Sequence, residues 1–283
     1  MPVAAGVPPA FVIRDYVSAL PVLAAVAVLV LVLLHRYVLR RIDPLPSSVA
    51  APWWRKILTG AGWAGLLLVV ALLVPALLGS FAPSAAGFRP FAYPQSPVGL
   101  VNVGRVVSLF LAQSLWEELI FRGILMGGLG LALSLLLVRT GLDRGRSWAL
   151  AGLVANGLQA LIFAFVHRGN PGSSTLSLLN IALAGVLLGA LYWRQGGLFG
   201  AWTFHFLWNF GLAASGLPVS GVTTTPALLP LGIAGAREDL VSGGRFGPEG
   251  SLVATLALAA AAFVTLRNRR PTPPAQDGPP PAG

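Results

Sequence analysis

Apolar residues run through this chain in long blocks, not in the short alternations of a half-buried strand. The blocks lie at about 18–39, 57–81, 99–121, 124–138, 148–167, 175–193, 198–217 and 251–266. Most approach or exceed roughly 18 residues with few or no charges, the length a helix needs to cross about 30 Å of hydrocarbon. Backbone at that depth must satisfy its own hydrogen bonds, so the blocks are predicted as helices. The expected fold class is all-α: a polytopic membrane helix bundle with seven or eight transmembrane helices. The uncertainty in number comes from 124–138, which is short and Gly-rich. It reads as a separate span, a re-entrant piece, or a continuation of the helix before it.

Between the blocks, the stretch 218–249 carries Pro218, Pro226, Pro230 and Pro248 with several glycines and mixed charges, and is expected to be a soluble, irregular loop. The tail 271–283 is Pro-rich without periodicity and is expected to be disordered. No internal repeat and no linker between two cores is visible, so 1–270 reads as a single membrane-embedded domain with a motif core at 99–217. The first apolar block is long for a signal peptide and is followed by basic residues instead of a cleavage site, so it reads as a retained span.

Composition agrees with a membrane protein. Mean hydropathy is +0.78 and charged residues make up 10%, against about a quarter in soluble domains. The net charge of +10 comes from arginine with a single lysine. In a membrane protein such an excess marks cytoplasmic loops and not a nucleic-acid partner. Arg36, Arg40, Arg41, Arg55 and Lys56 place the first inter-span loop inside. Arg139, Arg144 and Arg146 fall inside as well if 99–138 is one bent unit, which favours seven crossings and an inside tail. The chain has no cysteine, which excludes disulfides and thiolate metal sites. Arginine in place of lysine, with abundant Ala, Gly and Pro, suggests a GC-rich bacterial genome, so with the apolar blocks the expected location is a bacterial cytoplasmic membrane.

Ionisable groups inside a bilayer cost at least about 2.5–3.5 kcal/mol each on insertion scales and are functional candidates by default. Within the blocks they are Arg105, Glu117, Glu118, Arg122, His167 and His205, with Gln113, Asn156, Gln159, Asn180 and Asn209 as softer polar groups. His35 sits beside Arg36 at a helix end and reads as interfacial. Glu117 and Glu118 are adjacent, so on a helix they point about 100° apart. Glu118 and Arg122 are four residues apart and can pair along one face. Glu117 then has no partner in its own helix, which suits a general base or a proton carrier. His167 closes an apolar helix in Phe-Ala-Phe-Val-His. His205 and Asn209 lie one turn apart in His-Phe-Leu-Trp-Asn and share a face. Each histidine also fits a plainer role, as an interfacial helix end or as polar glue between helices. Full-length spans would hold the two histidines at different depths. They meet only if the helix ending at His167 stops inside the membrane, with 168–174 lining a wet cavity.

Three blocks in this order, Glu-Glu-x-x-x-Arg (Glu117, Glu118, Arg122), Phe-x-x-x-His (Phe163, His167) and His-x-x-x-Asn (His205, Asn209), resemble the CAAX-protease and bacteriocin-processing (CPBP) family of intramembrane proteases. The resemblance covers about 115–210, with every motif position filled. It implies a glutamic-type endopeptidase in which Glu117 with His167 activates a water, His205 and Asn209 stabilise the oxyanion, and Glu118, Arg122 and Phe163 support the site. It further implies a peptide or membrane-protein substrate in the bilayer, with bacteriocin maturation or self-immunity as settings. The residue types are adequate to amide hydrolysis, which needs a base, a proton donor for the leaving amine and donors at the oxyanion. No cofactor is required. Glu117, His167 and His205 also match a hydrolytic zinc triad in type, but without a His-Glu-x-x-His arrangement. The alternatives are a metal-dependent version of the same protease, a proton-coupled transporter using the same groups as relays, and a non-catalytic membrane scaffold.

Overall fold

The structure, a computed structural model, describes residues 52–83, 99–223, 231–233 and 240–267. The first apolar block, its basic loop up to residue 51, and the tail lie outside the described residues, as do the side chains at 99–103 and 105. What remains is overwhelmingly helical. Helix α1 is Trp53–Leu77, α2 is Gly99–Glu118, α3 is Gly127–Arg139, α4 is Arg144–Val166, α5 is Thr175–Gln195, α6 is Phe199–Ala214 and α7 is Leu252–Arg267.

The 124–138 block is a continuation, not a separate span. Between α2 and α3 the chain makes a π-helical segment, Leu119–Met126, and the residues at both junctions keep helical torsions. The apolar part of this rod, Val106–Arg139, is 34 residues, or about 50 Å at 1.5 Å per residue. Four helical stretches are long and apolar enough to cross a membrane among the described residues: α1, the α2–α3 rod, α4 with a short 3-10 extension to Gly169, and α5. Helices α6 and α7, with 16 residues each, are shorter than the roughly 20 a full crossing needs. The expectation of seven or eight spans thus meets four among the described residues.

Packing follows membrane rules. The buried side of α1 is a stripe of Lys56, Gly60, Ala64, Leu67, Ala71 and Pro75, while Leu58, Leu66, Val69, Leu73 and Leu77 face outward. Small residues on the inner stripe let backbones approach. A Cβ at Gly60 would stand 2.2 Å from the carbonyl oxygen of Gly200 on α6. Lys56 Nζ donates to Gly196 O at 2.7 Å, tying α1 to the turn before α6. At the α4–α5 contact, Asn156 Nδ2 donates to Val186 O at 3.1 Å and Gln159 Nε2 to Gly185 O at 2.9 Å. These two polar residues are the interhelical glue that side-chain amides provide in lipid.

Two features depart from an all-helical bundle with a soluble loop. Phe81–Pro83 pairs antiparallel with Leu231–Ile233 in a two-stranded ladder, Ala82 opposite Gly232. The described parts of 218–249 are irregular, as expected, but much of them is packed against the helices. Leu217, Val219, Ser242, Phe246 and Glu249 are all buried, and single 3-10 turns at Gly244–Phe246 and Pro248–Gly250 lead into α7. Proline and glycine content signals irregular backbone, and here that backbone is folded into the bundle.

Candidate active site

The three sequence blocks converge on one open cavity of about 170 Å³. Glu117 reaches it from the last turn of α2, Phe163 and His167 from the end of α4, and His205 and Asn209 from α6. The difficulty of depth is met by helix length. Helix α6 begins only at Phe199, so His205 sits in its second turn, and α4 ends at Val166, followed by the 3-10 turn His167–Gly169 and irregular chain over 170–174. Asn170 from that irregular run lines the same cavity.

Glu118 and Arg122 pair as their spacing predicts. Arg122 Nη1 donates to Glu118 Oε1 at 2.8 Å, with both side chains fully buried. The same carboxylate oxygen lies 2.7 Å from His205 Nδ1. An ionised carboxylate only accepts, so the proton is on Nδ1, and Nε2 of His205 is turned toward Glu117. This ties the first block to the third through one oxygen atom. Such carboxylate partners fix the tautomer and ring angle of a histidine.

Glu117 differs from expectation in one respect. It has a partner in its own helix: Gln113, one turn earlier, donates its Nε2–H to Glu117 Oε1 at 3.0 Å. The other oxygen, Oε2, is buried, lies 3.8 Å from His205 Nε2, and has no hydrogen-bond partner among the described residues. The carboxylate is therefore held on one side and available on the other.

His167 is held by its own helix. Its Nδ1 lies 2.7 Å from Phe163 O. A carbonyl can only accept, so Nδ1 carries the proton and Nε2 keeps a lone pair. Phe163 packs at the centre of the group. Its ring lies 4.6 Å from that of His167 and 6.2 Å from that of His205, with the Arg122 guanidinium 4.5 Å over its face. A cation over a desolvated ring is attracted by about 2 kcal/mol. Phe163 thus helps to compensate Arg122 while setting the spacing of both histidines.

Among the described residues, no three His, Asp or Glu side chains are grouped so as to hold one metal ion. Glu117, His167 and His205 share the cavity without forming such a centre.

The cavity also contains residues that the sequence pattern does not single out. Glu249, Ser220, Asn170 and Trp208 line it together with the motif residues. Trp208 Nε1 donates to Glu249 Oε1 at 2.9 Å, and Ser220 Oγ to Glu249 Oε2 at 2.9 Å. The signal for Glu249 was faint: one acid among few in the chain, flanked by Pro248 and Gly250 just ahead of an apolar helix.

Residues 99–211 match the family described as type II CAAX prenyl endopeptidase Rce1-like. That match is consistent with a CPBP family intramembrane protease and points to an intramembrane CAAX-type endopeptidase; with its apolar helices the chain is an integral membrane protein. No curated protein and no solved structure matches the chain.

Proposed function

We propose that this chain, whose residues 99–211 carry an Rce1-like endopeptidase region, hydrolyses peptide bonds with a water activated by Glu117 and His167 and an oxyanion held by His205 and Asn209. The observation that carries the reading is the convergence of three separate sequence blocks on one cavity, with Glu117 Oε2 open toward His205 Nε2 at 3.8 Å.

In the proposed reaction the water oxygen attacks the carbonyl carbon while a proton passes to Glu117, with His167 Nε2 accepting the water's second hydrogen bond. His205 and Asn209 face the oxygen that gains charge. Because Nδ1–H of His205 is committed to Glu118, the ring offers an Nε2–H to that oxygen only when doubly protonated. Glu118 is the counter-ion to that form. The C–N bond then breaks as Glu117 returns its proton to the leaving amine, giving a carboxylic acid and an amine, and the acid passes its remaining proton to solvent. Donors oriented in advance in low-dielectric surroundings are worth more than the same groups in water.

The reaction we propose uses no metal, since a buried carboxylate with histidine and amide donors supplies the base, the proton for the leaving amine and the oxyanion contacts itself. The clustering of the polar groups in one half of the chain, without repeated halves, favours the protease over a proton-coupled transporter. The substrate class we propose is a peptide or membrane protein presented at the bilayer of a bacterial cytoplasmic membrane.

The test is Glu117→Ala in the full-length protein. Comparison of protein termini in cells carrying wild type or the variant should reveal termini that vanish with the variant. A loss of about 10²-fold or more in cleavage rate is expected when a general base is removed. Cleavage at the wild-type rate overturns the reading.

A further inference from the structure

The inference concerns Glu249 and rests on the protease reading above. The geometry points to Glu249 as a positioning residue for substrate: its carboxylate fixes the turn at Ser220 that lines the same cavity as the motif residues, and so sets how tightly a peptide is held in the cleft.

The wall is a tight turn, residues 219–222, in which Val219 and Val222 exchange two backbone hydrogen bonds of 2.9 Å each. Its first corner, Ser220, has φ of 47°, the left-handed region, and is the one non-glycine residue with positive φ among the described residues. Such a conformation persists only where the surroundings over-determine it. Glu249 supplies most of that determination. Its Oε2 accepts from both the backbone N–H and the hydroxyl of Ser220. The opposite side of Ser220 is held by Asn170, whose Nδ2 donates to Ser220 O at 2.9 Å. The second corner, Gly221, has φ of 82°, and a Cβ there would stand 1.9 Å from Pro171 O. Only glycine lets the turn seat against the chain that follows His167.

Glu249 is itself fixed from behind. Asn180 on α5 donates to Glu249 O and Ser251 O at 2.8 Å each. Its other carboxylate oxygen holds Trp208, the neighbour of Asn209 on α6. One buried acid thus joins α5, α6 and the turn, and among the described residues all of its side-chain donors are neutral. Burying a carboxylate without a paired cation is costly. A purely structural tie among neutral donors does not need a charge. A negative wall does, and every named partner of that charge lines the cavity.

The experiment uses the full-length protein in detergent and a fluorescent peptide spanning a cleavage site mapped by the Glu117→Ala comparison. Glu249→Gln keeps the size of the side chain but sets an amide N–H against the donors of Ser220 or Trp208. The expected result is a rise in KM of about tenfold with kcat within about twofold, the pattern of lost binding shared by ground and transition states. In the inactive Glu117→Gln background, Glu249→Gln should weaken binding of the same peptide by the same factor, read by fluorescence anisotropy. Should Glu249→Gln not fold, Ser220→Ala and Trp208→Phe each remove one donor and must raise KM in the same direction. Unchanged KM in all foldable variants, or a fall in kcat alone, overturns the assignment. Full activity of Glu117→Gln overturns the protease reading instead, so the two failures are distinct.

Discussion

At the scale of single residues, the tightest coupling in the site is the sharing of Glu118 Oε1 by Arg122 and His205, at 2.8 and 2.7 Å. Arg122 is sealed in the bundle, so removing Glu118 alone leaves an uncompensated charge and should cost about 3–5 kcal/mol. Replacing both partners by apolar residues of similar volume is commonly neutral or stabilising. Glu118→Ala should therefore lower the thermal unfolding temperature strongly, while the pair Glu118→Leu with Arg122→Met restores it. Cleavage should not return in the pair, because His205 has lost the acceptor that fixes its tautomer. Recovery of both together would mean that Glu118 serves stability alone. This pair was legible from the sequence because four-residue spacing is a local geometric fact. The role of Gln113 beside Glu117 was equally local, one turn away, but an amide carries no charge and gave no reason to be matched to the acid.

At the scale of elements, α1 and α6 meet at a glycine contact. Gly60 faces the Gly200 carbonyl across a gap that a Cβ would narrow to 2.2 Å, whereas Gly62 on the same helix has nothing within 4 Å. Overpacking a close contact costs about 1–3 kcal/mol. Gly60→Leu should destabilise the protein by about that much in thermal unfolding in detergent, and Gly62→Leu should leave the unfolding temperature unchanged. Equal effects of the two would show that the crossing is looser than its geometry. The π-helical segment, Leu119–Met126, begins directly after Glu118, and such segments concentrate at functional sites. Nothing in the hydropathy of Leu-Ile-Phe-Arg distinguishes a wide turn from an ordinary one. The helices themselves were legible because long apolar blocks have few alternatives in lipid. The ladder between Phe81–Pro83 and Leu231–Ile233 was not, since it joins segments about 150 residues apart through backbone pairing that leaves no periodic trace.

At the scale of the whole molecule, the placement of the site depends on α4 crossing from one face to the other. Arg144 and Arg168 are both exposed and lie at opposite ends of that helix. The chain has no native cysteine, so Arg144→Cys and Arg168→Cys each introduce a unique thiol. A membrane-impermeant maleimide should label them from opposite sides of sealed vesicles. Labelling from one side would mean that α4 is a re-entrant element. The packing of the described parts of 218–249 against the helices was the feature least legible at this scale. Proline and glycine mark irregular backbone, but composition alone does not say whether such backbone faces water or is packed. Here Asn180 and Trp208 hold Glu249 inside the bundle, a pairing that only the assembled helices reveal.

That late-placed wall also has a consequence in time. Glu249 follows its anchor Asn180 by 69 residues, and all three motif blocks are complete by Asn209. During synthesis the motif helices enter the membrane before the segment that closes the cavity has been made. Until Glu249 arrives, the Ser220 turn has no carboxylate to hold it. The order of translation thus puts the reactive groups of the motif blocks into the chain before the acid that holds the Ser220 turn.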